Sequence, residues 1–182
     1  MKNKLYTLLL VASLGATASL ADESLIGIEG GGSTFNVDKN TGASKDYTLA
    51  NVGLKIGAQS DDYRAFLSVR YYDNSTFTSM VTYGGELQYL LNVSSMANFF
   101  LGVNAGVVDL KMKDADSIER KVSHGYIGGD AGFNVHVGDN LDVEIGARII
   151  NVDAQNVQTN GTYQYNNLIT GYGSLIYKFH MN

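Results

Sequence analysis

The chain has 182 residues, 18 acidic and 13 basic, with no cysteine, no proline and no tryptophan, against 21 glycines and 12 tyrosines. Without cysteine there is neither a disulfide framework nor thiol or Cys-metal chemistry, and a net charge of −5 argues against a nucleic-acid binder. The absence of proline suits a backbone that must donate ladder hydrogen bonds almost everywhere.

Lys2 and Lys4 open the chain, an apolar run follows from Leu5 to Leu14, and Ser19-Leu20-Ala21 precedes Asp22. This is the pattern of a secretory signal peptide over residues 1–21, too short to be a spanning helix. Residues 22–182 then form one domain, with 11 basic against 18 acidic residues and a net −7. No later stretch has the ~18 consecutive apolar residues of a membrane helix. A membrane location would therefore require strands.

From Asp22 onward, segments with a two-residue period recur between polar interruptions. The first strand is expected at 25–34, with Ile26, Ile28 and Gly30 opposite Gly27 and Glu29. The polar run 36–46 follows. The second strand sets Ala50, Val52, Leu54, Ile56 and Ala58 against Asn51, Gly53, Lys55 and Gly57. Ser60-Asp61-Asp62 reads as a tight turn into a third strand, where Ala65, Leu67, Val69 and Tyr71 oppose Arg64, Phe66, Ser68 and Arg70. After 73–79 comes a fourth strand, with Val81, Tyr83, Gly85, Leu87, Tyr89 and Leu91 opposite Thr82, Gly84, Glu86 and Gln88.

Past 92–98, a fifth strand alternates Phe99, Leu101, Val103, Ala105 and Val107 with Phe100, Gly102, Asn104 and Gly106. The charged run 111–121 separates it from a sixth. There Ile127, Gly129, Ala131, Phe133, Val135 and Val137 oppose Tyr126, Gly128, Asp130, Gly132, Asn134 and His136. Gly138-Asp139-Asn140 is a hairpin turn. The seventh strand sets Leu141, Val143, Ile145, Ala147 and Ile149 against Asp142, Glu144, Gly146, Arg148 and Ile150. After 151–166 the last strand carries Ile169, Gly171, Gly173, Leu175, Tyr177 and Phe179 on its apolar face.

Eight strands with one uncharged face fit an all-β fold, an eight-stranded antiparallel up-and-down transmembrane β-barrel. Hydrocarbon offers no partner to an open sheet edge, so spanning strands must close on themselves. The expected interfacial aromatics are Tyr89, Phe99, Phe133, Tyr177 and Phe179 toward the turns, with Tyr71 and Tyr83 toward the loops. The other face carries Glu29, Lys55, Arg64, Arg70, Glu86, Asp130, Glu144, Arg148 and Lys178. An eight-stranded lumen is just wide enough for side chains to fill. Charges of both signs there should form a plug of ion pairs, and a narrow or gated ion path through the same charges is the functional alternative.

This architecture, with the closing Leu175-x-Tyr177-x-Phe179 pattern, resembles the small eight-stranded bacterial outer-membrane barrels: the OmpA barrel domain, OmpX and the opacity-type surface proteins. The resemblance spans residues 22–182. It implies Leu175, Tyr177 and Phe179 as a signal for the barrel-assembly machinery, although family members usually end on the aromatic and here His180-Met181-Asn182 follow. It also implies residence in the outer membrane among lipid and lipopolysaccharide, as a monomer without cofactor or catalytic activity. Contacts with an extracellular partner would be made through the longer connections, at 36–47, 73–79, 110–121 and 151–166.

Three alternatives stand beside that reading. A narrow pore would use Arg70 and Glu86. A lipid-modifying enzyme would need a rim histidine, but Gly125-Tyr126 follows His124, so the His-x-Ser of the lipid A deacylases is missing. A soluble lipocalin-like binder would turn the apolar face inward around a ligand. His124, His136 and His180 have no metal-site spacing.

Overall fold

A computed structural model describes residues 22–39, 44–73, 79–113, 119–158 and 161–180. These residues form eight strands: β1 (Glu23–Lys39), β2 (Ser44–Gln59), β3 (Tyr63–Asp73), β4 (Ser79–Ser94), β5 (Ala97–Lys113), β6 (Glu119–Gly138), β7 (Leu141–Gln158) and β8 (Gly161–Phe179). Each pairs antiparallel with its sequence neighbours, and β1 pairs with β8, so the sheet closes into a barrel with no free lateral edge along its middle. The residues expected to form the signal peptide lie outside the described residues.

Pleating decides what faces each side, because successive side chains point to opposite faces. The uncharged parity points outward: Ile127 is 69% exposed, Ile145 68% and Val52 64%. Tyr63 packs on Tyr89 and Phe99 on Phe133, with ring centroids 5.1 and 5.3 Å apart, toward the turn end of this belt. An apolar band this continuous is unstable against water and suits hydrocarbon, with aromatic girdles at its rims.

The strands run further than the alternation in the sequence suggests. Most of the polar stretches expected as loops at 36–47, 110–121 and 151–166 are strand: β1 continues to Lys39, β5 to Lys113 and β7 to Gln158. Beyond the lipid belt both faces of a strand can be wet. Polar residues then keep their ladder bonds while the apolar alternation that marks a membrane strand is lost. At the opposite end the links are tight: residues 60–62, 95–96 and 139–140. The loop-side tips at 40–43, 74–78, 114–118 and 159–160 lie outside the described residues.

The crown above the belt is divided. Pairing of β6 with β7 stops at Ile127↔Asn151 although both strands continue, and the described part of β3 ends at Asp73, paired with Ala50. Bulges bend β7 and β8 at that level, between Asn151 and Ala154 in one ladder and opposite Phe35–Val37 in the other.

Candidate functional site

The inner face of the barrel holds the chain's densest chemistry. All nine charged residues expected there, Glu29, Lys55, Arg64, Arg70, Glu86, Asp130, Glu144, Arg148 and Lys178, are buried. Their positions follow from strand parity, since each shares a face with Gly, Ser or Asn neighbours that leave room for long side chains. Gly146 shows the requirement directly: a Cβ there would lie 2.8 Å from the Tyr172 ring and 3.0 Å from Phe100.

Two arginines join two glutamates at mid-height. Arg148 Nη1 and Nη2 donate to Glu29 Oε1 and Oε2 at 2.9 and 3.2 Å, and Nη2 reaches Glu86 Oε2 at 3.3 Å. Arg70 Nε donates to Glu29 Oε1 at 2.8 Å, its Nη2 bonds Glu86, and its Nη1 donates to Ser68 Oγ. Ser68 in turn donates to Glu86 Oε1 at 2.8 Å. Nearer the turns, Glu144 accepts from Lys55 Nζ at 2.6 Å and from Arg64. Lys55 also stands 3.9 Å from Glu29, tying the two groups together.

Asp130 is held differently. Its carboxylate accepts from Gln88 Nε2 at 2.7 Å and Asn104 Nδ2 at 3.1 Å, and Gln88 Oε1 accepts from Arg64 Nε. An amide therefore links Asp130 to Arg64. Aromatic rings wall the cations: Arg148 lies 4.3 Å over Tyr172 and Lys55 4.9 Å over Phe66.

The sequence reading left Asp142 out of this set. It pairs with Lys178 at 3.2 Å, accepts from Asn134 Nδ2 at 2.9 Å and faces His136 Nδ1 at 2.7 Å. Its parity with Glu144 and Arg148 was the available signal. With Asp142 the buried charged side chains among the described residues are five acids and five bases, so their formal charges balance. Neutrality matters because an unpaired charge in this setting costs several kcal/mol, whereas a satisfied network roughly breaks even.

A second feature had no counterpart in the sequence reading. Above the ion pairs, Phe35, Leu49, Tyr72, Met80, Val108, Leu110, Tyr126, Ile150, Val152 and Leu168 pack into one buried apolar layer. Leu110 and Val152 sit where loops were expected, so their inward parity went unread.

Leu175 and Tyr177 point outward on β8, with Phe179 half-buried and its ring 6.4 Å from that of Tyr177. His124 has a buried Nδ1 without a hydrogen-bond partner among the described residues. Among those residues, no group of three or more His, Cys, Asp or Glu could hold a metal ion. The lipocalin-like alternative is overturned, because Lys55 and Arg64 are buried inside while Leu54 and Val103 face out. In water this arrangement would leave the apolar belt wet.

No protein-family model matches the chain, and no curated protein matches it in sequence. The shape has clear counterparts among solved structures. The chain is similar to the Neisserial surface protein A (NspA), at 14% identity and a TM-score of 0.67 over 85% of this chain and 97% of that one. It is similar to outer membrane protein H (OprH) from P. aeruginosa, at 17% identity and 0.59 over 86% and 99%. Ail, the attachment invasion locus protein of Yersinia pestis, gives 14% identity and 0.57 over 87% and 99%. The chain thus has the fold of the small eight-stranded outer-membrane barrels.

Proposed function

We propose that the protein is a monomeric, non-catalytic barrel of a Gram-negative outer membrane, and that its loop-side crown makes contacts outside the cell. The observation that carries this reading is the filled lumen, ion-paired through its middle and packed with apolar side chains above. With the interior occupied by the chain itself and the belt given over to lipid and lipopolysaccharide, the crown is the surface left for a partner. The likeness to Ail, the attachment invasion locus protein of Yersinia pestis, supports the same reading. Export through residues 1–21 and insertion by the barrel-assembly machinery through Leu175, Tyr177 and Phe179 complete it.

The test has two parts. Cell fractionation with heat-modifiable gel migration is expected to place the folded protein in the outer membrane. Cells displaying it are expected to bind host-cell or neighbouring-cell surfaces, and to lose binding when segments 36–47, 73–79, 110–121 or 151–166 are replaced by short turns. Binding indifferent to all four replacements would remove the crown from the account. A change in lipid A mass on overexpression, abolished by His124→Ala, would replace the reading with an enzymatic one.

A further inference from the structure

The lumen is built in two materials, and they block an ion differently. In the ion-paired region a permeating ion would find charged and amide groups able to replace its water. In the apolar layer it would find only the Tyr72 and Tyr126 hydroxyls among aliphatic and aromatic side chains, and a constriction of that kind closes by excluding water.

The layer is also the one apolar cluster to which every strand contributes. Phe35 comes from β1, Leu49 from β2, Tyr72 from β3, Met80 from β4, Val108 and Leu110 from β5, Tyr126 from β6, Ile150 and Val152 from β7 and Leu168 from β8. Cross-strand register ties it into two arcs, Tyr72↔Met80↔Leu110 and Phe35↔Leu168↔Ile150. The apolar clusters nearer the turns are partial. Leu25, Phe66 and Ile176 come from β1, β3 and β8, while Leu90, Phe100 and Tyr172 come from β4, β5 and β8. The β6–β7 side at that end is left to Asn134, Asp142 and His136.

Hydrogen bonds run unbroken from that side into the middle. His136 meets Asp142, Asn134 links Asp142 to Arg64, and Gln88 links Arg64 to Asp130. At the turn-side end of this chain the His136 side chain is 25% exposed and Lys178 10%, while Asp142 between them is fully buried.

We propose that the apolar ring, and not the ion-pair network, is the barrier that closes this barrel, and that the polar lumen beneath it communicates with the turn side alone. The proposal rests on the closed-barrel reading given above.

Planar-bilayer recording separates the two. The unsubstituted protein is expected to be silent. Met80→Ser and Leu168→Ser, each shown to be folded by heat-modifiable migration, put a small polar group into the ring. They are expected to raise open probability by roughly tenfold or more, the ratio that about 1.4 kcal/mol produces. Met80→Leu keeps the ring apolar and should stay silent. Glu86→Gln and Asp142→Asn alter the network below and should stay silent as well. Conductance in these network variants, with silence in folded Met80→Ser and Leu168→Ser, would overturn the assignment of the barrier. Silence in every folded variant would overturn it too. Conductance in the unsubstituted protein would instead overturn the closed-barrel reading itself.

Discussion

Arg148 on β7 grips both carboxylate oxygens of Glu29 on β1, at 2.9 and 3.2 Å, reaching past the whole width of β8. The pair crosses the closure between the two ends of the sheet, and Arg70 holds the same carboxylate from β3. Glu29→Gln removes the charge and leaves two buried guanidinium groups facing a neutral amide. The expected loss is about 3–5 kcal/mol, the usual result of breaking a buried pair from one side. Urea titration of the protein refolded in lipid vesicles measures it, and a midpoint equal to the parent's would mean that the pair is dispensable.

The inner and outer glycines should respond in opposite ways. Gly146→Ala drives a methyl group into the Tyr172 ring and is expected to cost about 1–3 kcal/mol. At Gly171, on the outer face, a Cβ meets nothing within 4 Å, so Gly171→Ala should fall within about 0.5 kcal/mol of the parent. Equal effects in the same titration would contradict the assignment of faces.

Placing a charge on the belt tests which side meets oil. Ile145→Arg is expected to destabilise the vesicle-inserted protein by about 2–4 kcal/mol if Ile145 lies near the bilayer midplane. Ile145→Leu should change little. A neutral arginine at this position would mean that the outward face is wet.

Assembly and stability should separate at the closing strand. Phe179→Ala is expected to lower the amount of heat-modifiable protein recovered from cells several-fold, with refolding of the purified chain into vesicles near normal. Parallel losses in both assays would show that Phe179 contributes packing and carries no recognition.

What could be read from the sequence follows from where two solvents meet. Between the girdles, one face touches hydrocarbon and the other a narrow polar interior. Alternation is therefore strict, and Ile26 to Phe179 could be assigned to sides strand by strand. Above the belt that contrast disappears. Leu110 and Val152 then read as parts of loops, although both point into the apolar ring. The nine lumenal charges were visible as residues, but their partners were not. Periodicity places Asp130 on a face and cannot show that Gln88 and Asn104, and no cation, hold its carboxylate. Asp142 shared the right parity but sits one residue into β7, beside the turn at 139–140, where burial of a charge is not legible from alternation.

Because the β6–β7 ladder ends at Ile127↔Asn151 while both strands run on, the crown is split there above one closed base. β7, β8, β1 and β2 stay laddered together on one side of the split, and β5 with β6 on the other. A foreign epitope grafted between Lys113 and Glu119 would strain only its own side of the split. The barrel thus offers a display arm on each side of it.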